Sequence, residues 1–143
     1  MAYRHSVASR ELTTEDVVTV AEFRSALRKF LRRSELVADS CGLTPQRYLL
    51  LLMIKGAPDG GEQSTVTELA DRLQLAQSTV TELVRRAEEA GLVERAQSAA
   101  DARVAHLRVT DEGERRLADA FTSNEQERDE LRMAIEHLDA SLV

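Results

Sequence analysis

Residues 64–113 read STVTELADRLQLAQSTVTELVRRAEEAGLVERAQSAADARVAHLRVTDEG, and the order of elements in that stretch decides the fold. The spacing predicts a helix, a tight turn, a second helix, and a hairpin closed by the helix start Thr-Asp-Glu-Gly. The first helix is expected from near Thr67 to Leu73. Thr65 and Thr67 are both capping residues, and Glu68 and Asp71 follow where negative charge suits the helix dipole. Val66, Leu69, Ala70 and Leu73 recur at three- and four-residue steps and make one buried stripe. Gln74 and Leu75 form the turn.

The second helix is expected from Gln77 to Ala90, ended by Gly91, a residue that tolerates the left-handed backbone past a helix. Val80, Leu83, Val84 and Ala87 line its inner face. Steps of 100° place Ser78, Thr81, Glu82, Arg85 and Glu89 opposite, flanked by Gln77, Thr79 and Arg86. Near the N-terminus that outer face is short, polar and largely uncharged. Its Gln, Ser and Thr side chains suit base edges and phosphates, and Arg85 and Arg86 suit a nucleic-acid backbone. Taken alone, the same face is equally that of an ordinary solvated amphipathic helix.

The hairpin tips the balance. Leu92–Ala96 reads as a short strand and Gln97–Ala102 as a small polar turn. From Arg103 to Val109 the chain alternates, with Ala105, Leu107 and Val109 on one side and Val104, His106 and Arg108 on the other. A hairpin directly after such a helix is a wing, and a narrow minor groove attracts an inserted Arg.

The run Asp101-Ala102-Arg103, followed by Leu107, Thr110 and Gly113, resembles the wing signature of MarR-family winged helix-turn-helix regulators. Glu68-Leu69-Ala70, Ser78-Thr79-Val80-Thr81 and Gly91-Leu92-Val93 match the rest of that pattern in order, over roughly residues 43–113. The resemblance implies a mainly α fold with a small β-wing. A DNA-binding lobe, residues 43–113, would lie between dimerisation helices at 13–42 and 114–143. It further implies that Gln77, Ser78, Thr79, Thr81 and Arg85 face the major groove, and that Arg103 enters the minor groove while Asp101 holds the wing loop. Arg86 and Arg108 complete the expected DNA-binding set. The sequence departs from the pattern at Ala76, where a capping Ser or Asp is common, and at Gln74, where a turn Gly is common. Val109 stands in place of a Leu.

A chain of 143 residues with 43% hydrophobic side chains is expected to form one domain with a Leu-, Val- and Ala-rich core. Two prolines and abundant Leu, Ala, Arg and Glu favour helix. The net charge of −6 is at odds with a DNA-binding role until its distribution is read. Residues 111–143 carry all of it, with ten acidic and four basic side chains, and residues 1–110 are neutral. With no signal-like or membrane-length apolar run, a cytoplasmic protein without a membrane partner is expected. Cys41 is the single cysteine and His5, His106 and His137 are scattered, so no metal site, cofactor or catalytic constellation is expected.

The flanks complete the picture. Thr13 or Thr14 starts a helix that continues to about Cys41, ended by Gly42. Thr44-Pro45 starts another that runs to Lys55, and Leu49–Ile54 within it is apolar all round. Ser64–Val66 offers a third short strand. After Thr110 a helix begins, with a break at Thr122-Ser123-Asn124. Val20, Phe23, Leu27 and Phe30 form one coiled-coil-like seam, and Leu131, Ile135, Leu138 and Leu142 a second, which suggests a homodimer. By resemblance a small-molecule effector would bind between the dimerisation helices and the lobe, with Phe23, Tyr48 and Met53 as candidate lining, although core packing is the favoured role of all three.

The leading reading is a ligand-responsive repressor that binds double-stranded DNA at a near-palindromic operator. Two alternatives remain. One is a regulator on the same fold that senses oxidant through Cys41. The other is a winged-helix interaction module without DNA binding, which Glu82 and Glu89 on the outer face would favour.

Overall fold

The computed structural model describes residues 11–97 and 104–142, with side chains except those of Gln97 and residues 139–142. Its elements run α1 (Thr14–Ser40), α2 (Pro45–Lys55), β1 (Gln63–Ser64), α3 (Val66–Leu73), α4 (Gln77–Glu89), β2 (Val93–Gln97), β3 (Ala105–Val109), α5 (Asp111–Ser123) and α6 (Glu125–Leu142). The fold is mainly α with a small antiparallel wing sheet. The chain divides into two compact units, one of residues 33–125 and one of residues 1–32 with 126–143.

The larger unit is built around α2. Thr44 accepts from the Arg47 amide at 3.1 Å, and Pro45 occupies the first turn, where its missing N–H costs nothing. Leu50, Leu51 and Ile54 are fully buried, and α3, α4, α5 and β3 all pack on this helix. Leu49 corrects the expectation of a helix apolar on every side: it is 41% exposed, because no element of this unit covers that face. The core closes with Leu69, Val80, Val84, Leu92 and Leu107, each removed from water. At the end of α2, Arg72 of α3 donates to the Met53 carbonyl at 2.6 Å and the Gly56 carbonyl at 3.1 Å. One guanidinium thereby satisfies carbonyls that have no partner within their own helix.

The sheet has the order β1-β3-β2. Ser64 pairs with Leu107, and Val93 with Val109, down to Gln97 with Ala105. The short strand expected at Ser64–Val66 is present as β1 but at Gln63–Ser64, because Thr65 caps α3 and Val66 begins it. The alternation in β3 holds: Leu107 is buried and Arg108 exposed. Strand β2 starts at Val93 rather than Leu92 and β3 at Ala105, while Arg103, where the second wing strand is expected to begin, lies outside the described residues. Leu92 instead ends the α4 turn, where its amide donates to the Ala87 carbonyl at 2.9 Å.

In the smaller unit, Thr13 caps α1 through the Asp16 amide at 3.1 Å. Val17, Val18, Val20 and Leu31 of α1 and Met133 and Ile135 of α6 are all more than 40% exposed. Phe23, Leu27, Phe30, Leu131 and Leu138 are half-buried. The expected break between α5 and α6 falls at Asn124. Among the described residues no helix is long and apolar enough to cross a membrane.

Candidate nucleic-acid interface

The helix-turn-helix begins with a reciprocal cap on α3. The Thr65 hydroxyl accepts from the Glu68 amide at 3.2 Å, and the Glu68 carboxylate accepts from the Thr65 amide at 3.4 Å. This pair sets the helix start at Val66, one residue before the expected Thr67, because Thr65 has Glu68 three residues on. The turn is made by Gln74, whose φ of 55° is left-handed, a conformation that disfavours side chains. Its amide group donates to the Asp71 carbonyl at 2.5 Å. The turn that sequence patterns fill with Gly is thus held by a glutamine. Ala76 stands at the N-cap of α4 with extended backbone and no side-chain hydrogen bond.

Helix α4 buries Val80, Leu83, Val84 and Ala87 and turns its other face outward, as its spacing predicts. Gln77, Ser78, Thr79, Thr81, Arg85 and Arg86 are all exposed. The Gln77 side chain reaches Thr67 of α3 at 3.4 Å, and the Thr81 hydroxyl donates to the Gln77 carbonyl at 2.9 Å. Arg108 is exposed on β3, opposite Glu94 of β2 and Gln63 of β1. Six polar residues of α4 and one basic residue of the wing sheet thus lie at the surface of one compact lobe. Asp101 and Arg103, at the expected wing tip, lie outside the described residues.

Two features were not singled out from sequence. Arg95 of β2 is exposed and pairs with Glu88 of α4 at 3.0 Å, so the wing carries a further cation tied to the helix. Glu82 pairs with both arginines of α4, at 2.6 Å to Arg85 and 3.0 Å to Arg86. The hydrogen bonds from Arg85 and then Arg86 hold the Glu82 carboxyl well below its usual range, at about 2. The same contacts raise Arg85, with Glu82 the largest cause. The signal was present in the three- and four-residue spacing of Glu82, Arg85 and Arg86.

Residues 42–104 match the MarR family model. Over that stretch the chain is similar to the winged helix-turn-helix lobe of MarR-family regulators. It is 27% identical over 119 residues to YsmB of Bacillus subtilis, an uncharacterized HTH-type transcriptional regulator, with 80% of this chain and 79% of YsmB covered. Among solved structures it is similar to AbsC, a MarR-family transcriptional regulator of Streptomyces coelicolor, at a TM-score of 0.70 and 21% identity over 94% of this chain and 93% of that one. It is also similar to Sco3205, a MarR-family regulator of the same organism solved in complex with DNA. There the TM-score is 0.63 and the identity 24%, over 89% of this chain and 77% of that one. The family is one of transcriptional regulators, and the fold of this chain is theirs.

In the larger unit a hollow of about 330 Å³ opens between α2 and α5, lined by Leu52, Lys55, Glu114, Leu117, Ala118 and Phe121 among others. Lys55 at its edge bonds Glu62 at 2.9 Å and also Glu114, and these contacts, Glu114 first, raise its pKa. None of the candidate pocket residues read from sequence lines this hollow. Tyr48 is buried in the core, Met53 packs against it, and Phe23 lies on α1 in the other unit. Cys41 is half-buried and free, with its sulfur 3.9 Å from the Ser40 hydroxyl. Among the described residues no His, Cys, Asp and Glu side chains group as a metal site.

Proposed function

We propose that this chain is a sequence-specific DNA-binding transcriptional repressor that acts as a homodimer on a near-palindromic operator. The outer face of α4 carries this reading. It is a row of exposed Gln, Ser, Thr and Arg side chains on a helix whose other face is locked into the core. Gln77, Ser78, Thr79, Thr81 and Arg85 read the major groove; Arg86 and Arg108 contact phosphates; Arg103 enters the minor groove with Asp101 holding the wing loop. The DNA complex of the similar Sco3205 supports the same use of the fold. The exposed Val17, Val18, Val20, Leu31, Met133 and Ile135 support dimerisation, since apolar side chains gain by being removed from water.

The repressor responds to a small molecule that shifts the population of dimers away from the DNA-fitting form. The hollow between α2 and α5 supports this, being of a size that small ligands fill. Its walls are apolar, and Lys55 at its edge is already paired with Glu62 and Glu114, so the hollow suits an apolar ligand.

The test is binding of purified protein to duplex DNA across salt concentrations, with Arg103→Ala as control. Affinity that falls steeply with salt, and is reduced in the variant, supports the reading. Absence of duplex binding at low salt overturns it in favour of an interaction module.

A further inference from the structure

The acidic groups on the outer face of α4 do not sit apart from its arginines. Arg85 Nε donates to Glu82 Oε2 at 2.9 Å and Nη2 to Oε1 at 2.6 Å, a two-pronged carboxylate contact. Arg86 Nε donates to the same Oε1 at 3.0 Å, and Arg85 Nη1 to Glu89 Oε1 at 2.5 Å. Ion pairs as exposed as these, from 45% to 66%, add little to helix stability. Their consequence lies in the state of the arginines.

We propose that Glu82 is a specificity-determining residue of the DNA interface, one that holds the guanidinium forks of Arg85 and Arg86 on the helix and releases them only to well-matched DNA. This rests on the DNA-binding reading above. A fork that grips a carboxylate has the geometry that grips a phosphate or the O6/N7 edge of guanine. A phosphate met in passing must therefore displace an equal charge, and it leaves Glu82 unpaired in the field of the DNA backbone. At a matched site the docking of the whole lobe fixes which groups face Glu82, and a cytosine amino group there can donate to it. Glu82 thus costs random binding more than it costs matched binding, and specificity is that difference. The carboxyl stays ionised well below neutral pH, so the device is not a pH switch.

The test titrates the wild type, Glu82→Gln and Glu89→Gln against a pool of short random-sequence duplexes and against the duplex that the wild type selects from it, each at several salt concentrations. Glu82→Gln is expected to bind the random pool about tenfold more tightly. Its salt slope should steepen by about one to two, as Arg85 and Arg86 become free to neutralise phosphates. Its affinity for the selected duplex should change less, so the ratio of the two falls. Glu89→Gln, which touches Arg85 alone, should move the same way by less. Equal changes on both duplexes, or weaker binding to both with an unchanged slope, overturn the proposal. Should the wild type select no duplex, the DNA-binding reading falls first; an unchanged ratio in a wild type that does select removes the role of Glu82 alone.

Discussion

The Thr110 hydroxyl donates to the Gly91 carbonyl at 2.6 Å and accepts from the Gly113 amide at 3.1 Å. The Thr110 amide also donates to the Leu92 carbonyl at 3.0 Å. A single residue therefore joins the end of α4, the end of the wing and the start of α5. Thr110→Val, which keeps the shape and loses both hydroxyl contacts, is expected to cost about 1–2 kcal/mol in urea unfolding. Thr110→Ser should stay near wild type. Equal loss in both variants would show that the methyl, not the hydroxyl, matters.

Gly113 lies where α5 presses on the α4–β2 turn. A Cβ there would run into the Leu92 carbonyl oxygen and come within 2.8 Å of Val109 Cγ1. In an open helix Gly→Ala stabilises by about 1 kcal/mol. Here Gly113→Ala is expected to destabilise by about 1–3 kcal/mol, since backbone cannot yield as a flexible side chain does. A rise in melting temperature would refute the close approach.

The Arg72 guanidinium on the Met53 and Gly56 carbonyls makes a charge-assisted cap for α2, the helix at the centre of the core. Arg72→Ala should cost about 1.5–3 kcal/mol, and Arg72→Lys should restore only part, because one ammonium lacks the planar fork. Equilibrium unfolding reads both.

The missing cap of α4 is open to repair. Ala76→Ser supplies an acceptor for the first-turn amides and is expected to add about 1 kcal/mol of stability. Gln74→Gly relieves the left-handed backbone and should add a smaller amount. Unchanged midpoints would mean that these amides already have equally good partners in water.

Acid unfolding tests the Glu82 network. Its folded-state pKa is depressed from 4.5 to about 2, so its contribution to stability is present above the unfolded value and is lost as pH falls through that window. Glu112, held low by Arg116 and then Arg115, acts in the same direction. The stability difference between wild type and Glu82→Gln, small for so exposed a network, should be constant from pH 6 to pH 8 and shrink as pH falls from about 4.5 toward about 2. A difference that changes across neutral pH would contradict the network.

Much of the fold could be read from local chemistry. Thr44-Pro45, Thr65 with Glu68, and Thr110 announce helix starts, and the alternation of Ala105, Leu107 and Val109 announces the inner strand of the wing. The polar row on α4 follows from its 3.6-residue period alone. Features made by packing were not legible. Leu49 belongs to an apolar run, yet only the placement of neighbouring helices decides that it stays exposed. The hollow beside Leu52 and Phe121 needs two helices brought together from opposite sides of the lobe sequence. Glu82 shows a third kind of gap. From sequence it counted against DNA binding, and only its shared grip on Arg85 and Arg86 gives it a place within such a site.

The most direct test of the central claim is selection of bound genomic fragments by the purified protein at about 0.15 M salt, with Arg103→Ala as control. An enriched near-palindrome with half-sites about one helical turn, roughly 34 Å, apart is expected, and its loss in the control. Failure to enrich any sequence at any salt concentration would contradict that claim.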